Sequence, residues 1–194
     1  AVRGPKEQEL AVCRVETCEP GTAYHTVKLQ WPGEPPTGSV EKVGIGDLDG
    51  DGRWDFVLKH PTGDVLLYDE YNRWKRSPDT YKIDAFTADG KHLWRRDLGW
   101  GIENRNWFSP LLVWDLNGDG RAEVIVKVIE GDPRNERGRV TDGAEWVAVW
   151  DGLTGKEIAR APWPLRAGFE SFNFVSRNQL AVAYLDGRTP CIVI

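Results

Sequence analysis

The chain has 194 residues, 25 Lys plus Arg against 30 Asp plus Glu, a formal charge of −5 and 40% apolar residues. This composition excludes wholesale disorder and leaves room for a buried core. An acidic balance without a Lys/Arg cluster excludes nucleic acid as the expected partner, and no apolar run is long enough for a membrane-spanning helix. Ten Trp stand against no Met, so the chain is expected to be a processed product, an edited chain or a piece of something larger.

In chain order, residues 5–12 are expected to form a short helix. Cys13 and Cys18 lie close together and Cys191 stands apart in an apolar run. Three unrelated thiols and a local Cys13–Cys18 disulfide in an oxidising compartment both fit that spacing. Zinc is not expected, because no second Cys pair or paired His lies nearby. Residues 24–31 (YHTVKLQW) read as a strand.

From residue 40 onward the chain repeats itself. Residues 43–59 (VGIGDLDGDGRWDFVLK) and 111–127 (LLVWDLNGDGRAEVIVK) align at an offset of 68, and a third copy, LAVAYLDGRTPCIVI, covers 180–194. Between them, 81–95 (YKIDAFTADGKHLWR) resembles 146–160 (WVAVWDGLTGKEIAR), each with apolar alternation around a Gly-Lys turn. The period of two predicts strands at 40–48, 55–60, 81–87 and 92–98, then at 111–116, 123–128, 146–150 and 157–161, and finally at 180–185 and 191–194.

Tandem four-stranded antiparallel units are the signature of β-propeller blades, whereas sandwiches do not repeat their sequence at a long fixed period. The expected fold is therefore all-β, about two and a half propeller blades, with the remaining blades of the same ring as partners. The division is an N-terminal segment at 1–38, blades at 39–98 and 99–162, and the start of a third at 163–194. Trp54, Trp114, Trp146 and Trp150, at strand positions, are expected to pack between blades.

Two Asp-rich loops punctuate the first two units. Asp47, Asp49, Asp51 and Asp55 place carboxylates at positions 1, 3, 5 and 9 of one loop, and Asp115, Asn117, Asp119 and Glu123 place oxygens at the same positions of the other. Alternate side chains of a tight loop converge, and the carbonyls of Arg53 and Arg121 add a position-7 ligand, so both loops predict calcium. Leu58 and Val126 stand at position 12, which excludes an EF-hand. Asp186-Gly187 keeps the turn but has Val182 and Tyr184 where ligands would be, and no metal is predicted there.

In an up-and-down unit the calcium loops and the Gly-Lys turns fall at one end. The other end is built from the longer connections 61–80, 99–110, 129–145 and 162–179, where function concentrates. Trp74, Trp100, Asn104, Arg105, Asn106, Trp107, Arg134 and Arg166 lie there. Aromatic rings that stack on sugars, Arg that pairs with carboxylates and Asn that bridges hydroxyls suit an acidic polysaccharide.

The run from DLDGDGRWDFVLK through YKIDAFTADGKHLWRRDLGWGIE, DLNGDGRAEVIVK, GRVTDGAEWVAVWDGLTGKE and NQLAVAYLDGRTPCIVI resembles the rhamnogalacturonan lyases built on an eight-bladed propeller, over about residues 40–194. The resemblance implies calcium, secretion (extracellular or periplasmic) and β-elimination at galacturonic acid in pectic rhamnogalacturonan. Elimination needs a base for the C5 proton and a cation to offset the neighbouring carboxylate. His60 and Lys127 are candidates for the base and Arg105 for holding the carboxylate. The Asn104-Arg105-Asn106-Trp107-Phe108 stretch lacks the His expected of the family there, and the principal catalytic residues are expected beyond Ile194. Two other readings stand beside it: a non-catalytic calcium-stabilised propeller that binds acidic glycans or a protein, and a quinoprotein-like dehydrogenase, suggested by the DGK-x-LW hairpin at 89–94.

Overall fold

The structure, a computed structural model, describes residues 2–3, 9–11, 24–36, 40–60, 79–102, 108–136, 139–168 and 176–194. Among these residues the chain forms twelve β-strands. β1 (Val2–Arg3) pairs with β2 (Glu9–Ala11), antiparallel. Within the stretch 5–12, where a short helix is expected, Glu9–Ala11 is strand instead, and the rest lies outside the described residues. A helix that short is marginal in water, and strand pairing satisfies the same backbone groups.

The first sheet contains β3 (Lys42–Gly46), β4 (Asp55–His60), β5 (Lys82–Phe86) and β6 (His92–Asp97), neighbours in chain order and all antiparallel. The second repeats the plan with β7 (Leu111–Trp114), β8 (Glu123–Ile129), β9 (Glu145–Trp150) and β10 (Glu157–Pro162). β11 (Ala181–Ala183) and β12 (Cys191–Val193) form a final hairpin, with Cys191 a free thiol. Each predicted strand from residue 40 onward has its counterpart here. Residues 24–31 do not form the expected strand. Gln30 makes a single parallel bridge to Lys91, with its amide donating to the Gly90 carbonyl at 2.8 Å.

The main core lies between the two sheets. Val57, Ile83, Ala85 and Trp94 of the first meet Val113, Val124, Val126, Ala148 and Trp150 of the second. These are alternate residues of each strand, as a face buried on one side requires. Trp94 and Trp150 meet edge to face with centroids 6.2 Å apart, and Trp94 Nε1 donates to the Gly152 carbonyl at 2.7 Å. The opposite face of the second sheet packs Ile125, Val147 and Trp163 toward Leu180 and Ile192 of the final hairpin.

Trp150 is buried as expected, but Trp54 and Trp114 are 68% and 42% exposed. They flank an open apolar groove of about 420 Å³, lined by Ile45, Val113 and Ala122 among others, beside the edge strands β3 and β7. Inter-sheet packing at that edge is made by small residues instead. A Cβ on Gly44 would collide with Val113 Cγ2, and one on Gly46 would lie 2.5 Å from Val113 Cγ1.

Gly44→Ala should therefore destabilise the protein by about 1–3 kcal/mol, the usual cost of overpacking. In a Val113→Ala background the penalty should largely vanish. Denaturation midpoints of the four variants in this cycle measure the coupling; additive effects would show that the sheets do not meet there.

Candidate functional site

The loop between β3 and β4 is organised by its own carboxylates. Asp47 Oδ1 accepts the Gly50 amide at 2.7 Å and its Oδ2 accepts that of Gly52 at 2.8 Å. Asp49 accepts Asp51 N at 3.1 Å, and Asp51 accepts Arg53 N at 2.9 Å. Asp55, at the first position of β4, closes the loop by accepting Leu48 N at 2.8 Å. Gly50 and Gly52 sit at φ 83° and 84°, a region open to glycine without strain.

The loop between β7 and β8 reproduces this bond for bond. Asp115 accepts Gly118 N at 2.7 Å and Gly120 N at 3.0 Å. Asn117 accepts Asp119 N and Asp119 accepts Arg121 N, both at 2.8 Å, and Glu123 accepts Leu116 N at 2.8 Å. Glu123, one methylene longer, performs the task of Asp55.

The two loops differ in what converges. Asp47, Asp49 and Asp55 each offer an oxygen, all within 4.8 Å of one another, the sole such acidic group among the described residues. Asp51 is not in that group: its Oδ2 takes Arg53 Nε at 2.9 Å, and the Arg53 side chain holds its carboxyl below the ordinary value. Arg53 also forms a two-bond fork to Asp89, at 2.7 and 2.9 Å. In the second loop the Asn117 amide donates to Asp119 at 3.2 Å and to Glu123 at 3.1 Å, which relieves carboxylate repulsion from within. Arg121 pairs with Asp119 at 3.3 Å. Burial pushes the Asp55 and Glu123 carboxyls up, against the pull of their backbone hydrogen bonds, and neighbouring loop carboxylates add to the rise. A set of hard oxygens with unrelieved negative charge fits a hard divalent cation. Asp186 is the contrast: bonds from Thr189 and Arg188 take up its oxygens and hold its pKa at about 2.

The loops sit at the same end as the Gly-Lys turns. Asp55 Oδ1 accepts Ala88 N at 2.7 Å, and Asp89 is the Arg53 partner, so the β5–β6 turn is bound to the first loop.

At the opposite end, His60 is buried with Nε2 2.6 Å from Asp84 Oδ2. Asp84 also binds His92 Nε2 at 2.7 Å and Arg95 Nε at 2.9 Å, and Trp31 lies edge-on to His60 at 5.6 Å between centroids. Burial alone would raise the Asp84 carboxyl, but the bonds from His60, Arg95 and His92 outweigh it and hold it below the ordinary value. Lys127 is 3% exposed and pairs with Glu145 at 2.6 Å. Arg166 makes a two-bond fork to the same Glu145, at 2.6 and 2.7 Å. Arg134 is bound to Asp132 at 2.6 Å, and its guanidinium lies 4.3 Å from the centroid of Trp100. The cations of Arg134 and Arg166 are thus committed to carboxylates of this chain. Trp74, Asn104, Arg105, Asn106 and Trp107, with Cys13 and Cys18, lie outside the described residues.

The Lys59 environment was not foreseen from the sequence. Its ammonium is wholly buried, 3.2 Å from Glu41 Oε1, and burial pushes its pKa down to about 8. A lysine inside an apolar strand that recurs 68 residues later at Lys127 is the signal that could have found it.

Residues 24–194, both sheets and both acidic loops included, match the family described as rhamnogalacturonan lyase family 11, C-terminal domain. The chain belongs to this family. It is 35% identical to the rhamnogalacturonan endolyase YesW of Bacillus subtilis over 202 residues, which covers 88% of this chain and 31% of that protein. The rhamnogalacturonan exolyase YesX of the same organism is 33% identical over 186 residues, covering 84% of this chain and 29% of that one. The crystal structure of rhamnogalacturonan lyase YesW superposes with a TM-score of 0.72 at 34% identity, covering 87% of this chain and 33% of that chain. The chain therefore spans about a third of the length of these family members.

The Asp84 cluster generates a pH test. A depressed folded-state pKa contributes stability above the unfolded value, about 3.9, and the contribution is lost as pH falls through the folded value. Asp84→Asn should cost roughly 3 kcal/mol at neutral pH. Its stability should also fall less steeply than wild type below about pH 4. Parallel acid limbs in melts from neutral to acidic pH would rule out the cluster as an ionised hub.

Proposed function

We propose that the protein containing this chain is a calcium-dependent polysaccharide lyase that acts outside the cell. It would cleave the rhamnogalacturonan backbone of pectin by β-elimination at galacturonic acid. The observation that carries this reading is the family match over 24–194, which takes in both four-stranded sheets. The two sheets are read as successive blades of a propeller, with the β11–β12 hairpin the start of a third.

In such an elimination a base removes the proton at C5, the C4–O bond breaks, a C4=C5 double bond forms, and the departing oxygen gains a proton. The C6 carboxylate must be offset as negative charge builds beside it. His60, Lys59 and Lys127 are buried and bonded, so they are assigned no proton transfer here. Arg105, on the 99–110 connection, is the residue proposed to pair with the uronate, with Trp100 as a stacking surface.

Calcium is assigned to the two acidic loops: Asp47, Asp49 and Asp55 would hold it in the first, and Asp115, Asn117 and Glu123 in the second. The ion would neutralise clustered carboxylates and brace the strand connection. What supports this is the convergence of the first triad and the bond-for-bond copy in the second loop.

Mixing the full-length protein with rhamnogalacturonan should raise the ultraviolet absorbance of unsaturated uronide. Binding without product would identify a glycan-binding protein instead. Excess chelator should lower the melting temperature and added calcium restore it, because a ligand that binds the native state stabilises it. Asp47→Ala should reduce the calcium-dependent part of that shift. A melt indifferent to chelator would overturn the metal assignment.

A further inference from the structure

The two buried lysines occupy matched niches. Lys59 on β4 pairs across the ladder with Ile83, and Lys127 on β8 pairs with Val147. Two residues before those partners stand Tyr81 and Glu145. Their carbonyls accept the amides that follow the fourth strands, Leu98 N at 2.8 Å and Trp163 N at 2.9 Å. The backbone of the niche is therefore duplicated.

Its chemistry is conserved but redistributed. Each ammonium has one carboxylate and one aromatic ring. In the first niche Tyr81 supplies the ring, 4.0 Å from Lys59 Nζ, and Glu41 supplies the carboxylate from outside β4 and β5. In the second, Glu145, at the place of Tyr81, supplies the carboxylate, and Trp163, at the place of Leu98, supplies the ring at 4.8 Å. Burying a lone ammonium is costly, and a strand position between apolar neighbours would pack equally well with an aliphatic residue. Keeping the cation in both niches while moving its partners points to a task for the cation itself.

That task is visible in what the niches hold. Lys59 Nζ donates to the Ser109 carbonyl at 3.2 Å and also contacts Ser109 Oγ, while Lys42 Nζ reaches the same carbonyl at 3.5 Å. Ser109 is buried and lies just before Pro110 and the second sheet, where the 99–110 connection rejoins it. In the second niche Lys127 and Arg166 share Glu145, and Arg166 Nη1 donates to Ser176 Oγ at 3.2 Å. Ser176 is also buried and lies where the connection after β10 returns toward the final hairpin. Both niches thus fasten the connection that leads from one sheet to the next, at the end opposite the acidic loops.

We propose that Lys59 and Lys127 are positioning residues that anchor the two inter-sheet connections at Ser109 and at Arg166–Ser176, and so set the surface on which the polysaccharide lies. This deepens the lyase reading and rests on it for the identity of the ligand. The lysines touch no substrate; they act through Ser109 and through the Glu145–Arg166 pair.

The test uses full-length protein carrying Lys59→Met, Lys127→Met or Lys127→Arg. On rhamnogalacturonan, Lys127→Met should raise KM about tenfold, with kcat within about twofold and both limbs of the pH–rate profile in place. Lys127→Arg should restore KM to within about threefold of wild type. Loss of kcat together with a limb of the profile would make Lys127 the base and overturn the proposal. Unchanged KM in a merely less stable protein would overturn it as well. Hydrogen exchange supplies a readout independent of activity. Amides at Trp163 and its neighbours in Lys127→Met, and near Ser109 in Lys59→Met, should lose protection, while those of Gly50, Gly52, Gly118 and Gly120 keep theirs. Unchanged protection at the anchors sinks the proposal even if wild type yields no product, whereas absent product with the expected exchange pattern sinks only the lyase reading. Ser109→Ala and Ser176→Ala, which each remove one hydroxyl, carry the same exchange test where a lysine variant does not fold.

Discussion

Val113 lies against β3 at positions 44 and 46, where the chain carries no side chain, and the distance between the two sheets follows from that contact. The approach brings the Ala122 amide to 2.6 Å from the Asp47 carbonyl, so the backbones of the two acidic loops are bonded to each other. It also brings Leu48 against Gly152 and the face of Trp94 against Gly155, two further places where a Cβ would collide. Trp94 and Arg96 of the first sheet then reach the carbonyls of Gly152 and Gly155 in the second, at 2.7 and 2.8 Å. Loop geometry and sheet packing are one problem here: a wider gap would break the bond that aligns the loops. A close-packed interior transmits such changes because it has no slack to absorb them.

The two ends of the sheets solve opposite electrostatic problems. At the acidic-loop end, negative charge is concentrated, and backbone amides, Arg53 and Asn117 relieve only part of it. Asp55 illustrates the remainder, since burial keeps its carboxyl high even with two amides donating to it. At the other end, positive charge is buried, and each ammonium is balanced by a carboxylate and a ring. Glu145 lies on the opposite side of the ordinary value from Asp55: burial alone would raise it, but Arg166 and Lys127 hold it down. One end therefore keeps clustered negative charge that this chain offsets only in part, while the other pairs its buried cations with its own carboxylates.

Legibility in the sequence divides along the range of the interactions. The acidic loops could be read because their oxygens and amides lie within nine residues, and the offset of 68 presented the pattern twice. The strands could be read because a one-sided core imposes a period of two. The lysine niches could not, since Lys59 meets Glu41, Tyr81 and Ser109, residues brought together only by the sheets. The same limit applies to Asp84, whose partners His60 and Arg95 come from neighbouring strands and whose cover includes Trp31. Strand positions predict packing for Trp54 and Trp114, because large aromatic rings dominate buried contacts. Glycine at 44 and 46 gave that contact to Val113, and the two rings were left at the groove. Residue type places Arg134 and Arg166 among the candidates for pairing with a ligand carboxylate, but Asp132 and Glu145 are already bound to them.

The redistribution inside the lysine niches bears on what repetition preserves. If stability were the only requirement, a buried ion pair would be a poor candidate for retention, because apolar residues of similar volume often serve as well or better. The position of the carboxylate is not retained either: it comes from residue 41 in one niche and 145 in the other. Nor is the aromatic, which moves from Tyr81 to Trp163. What both niches keep is a long cationic side chain rising from the second strand to the connection ahead of the next sheet. A leucine or methionine there could fill the space but could not donate to a carbonyl such as that of Ser109, nor hold Glu145 oriented toward Arg166. The constraint acts on the reach and charge of the lysine, and its partners vary around it.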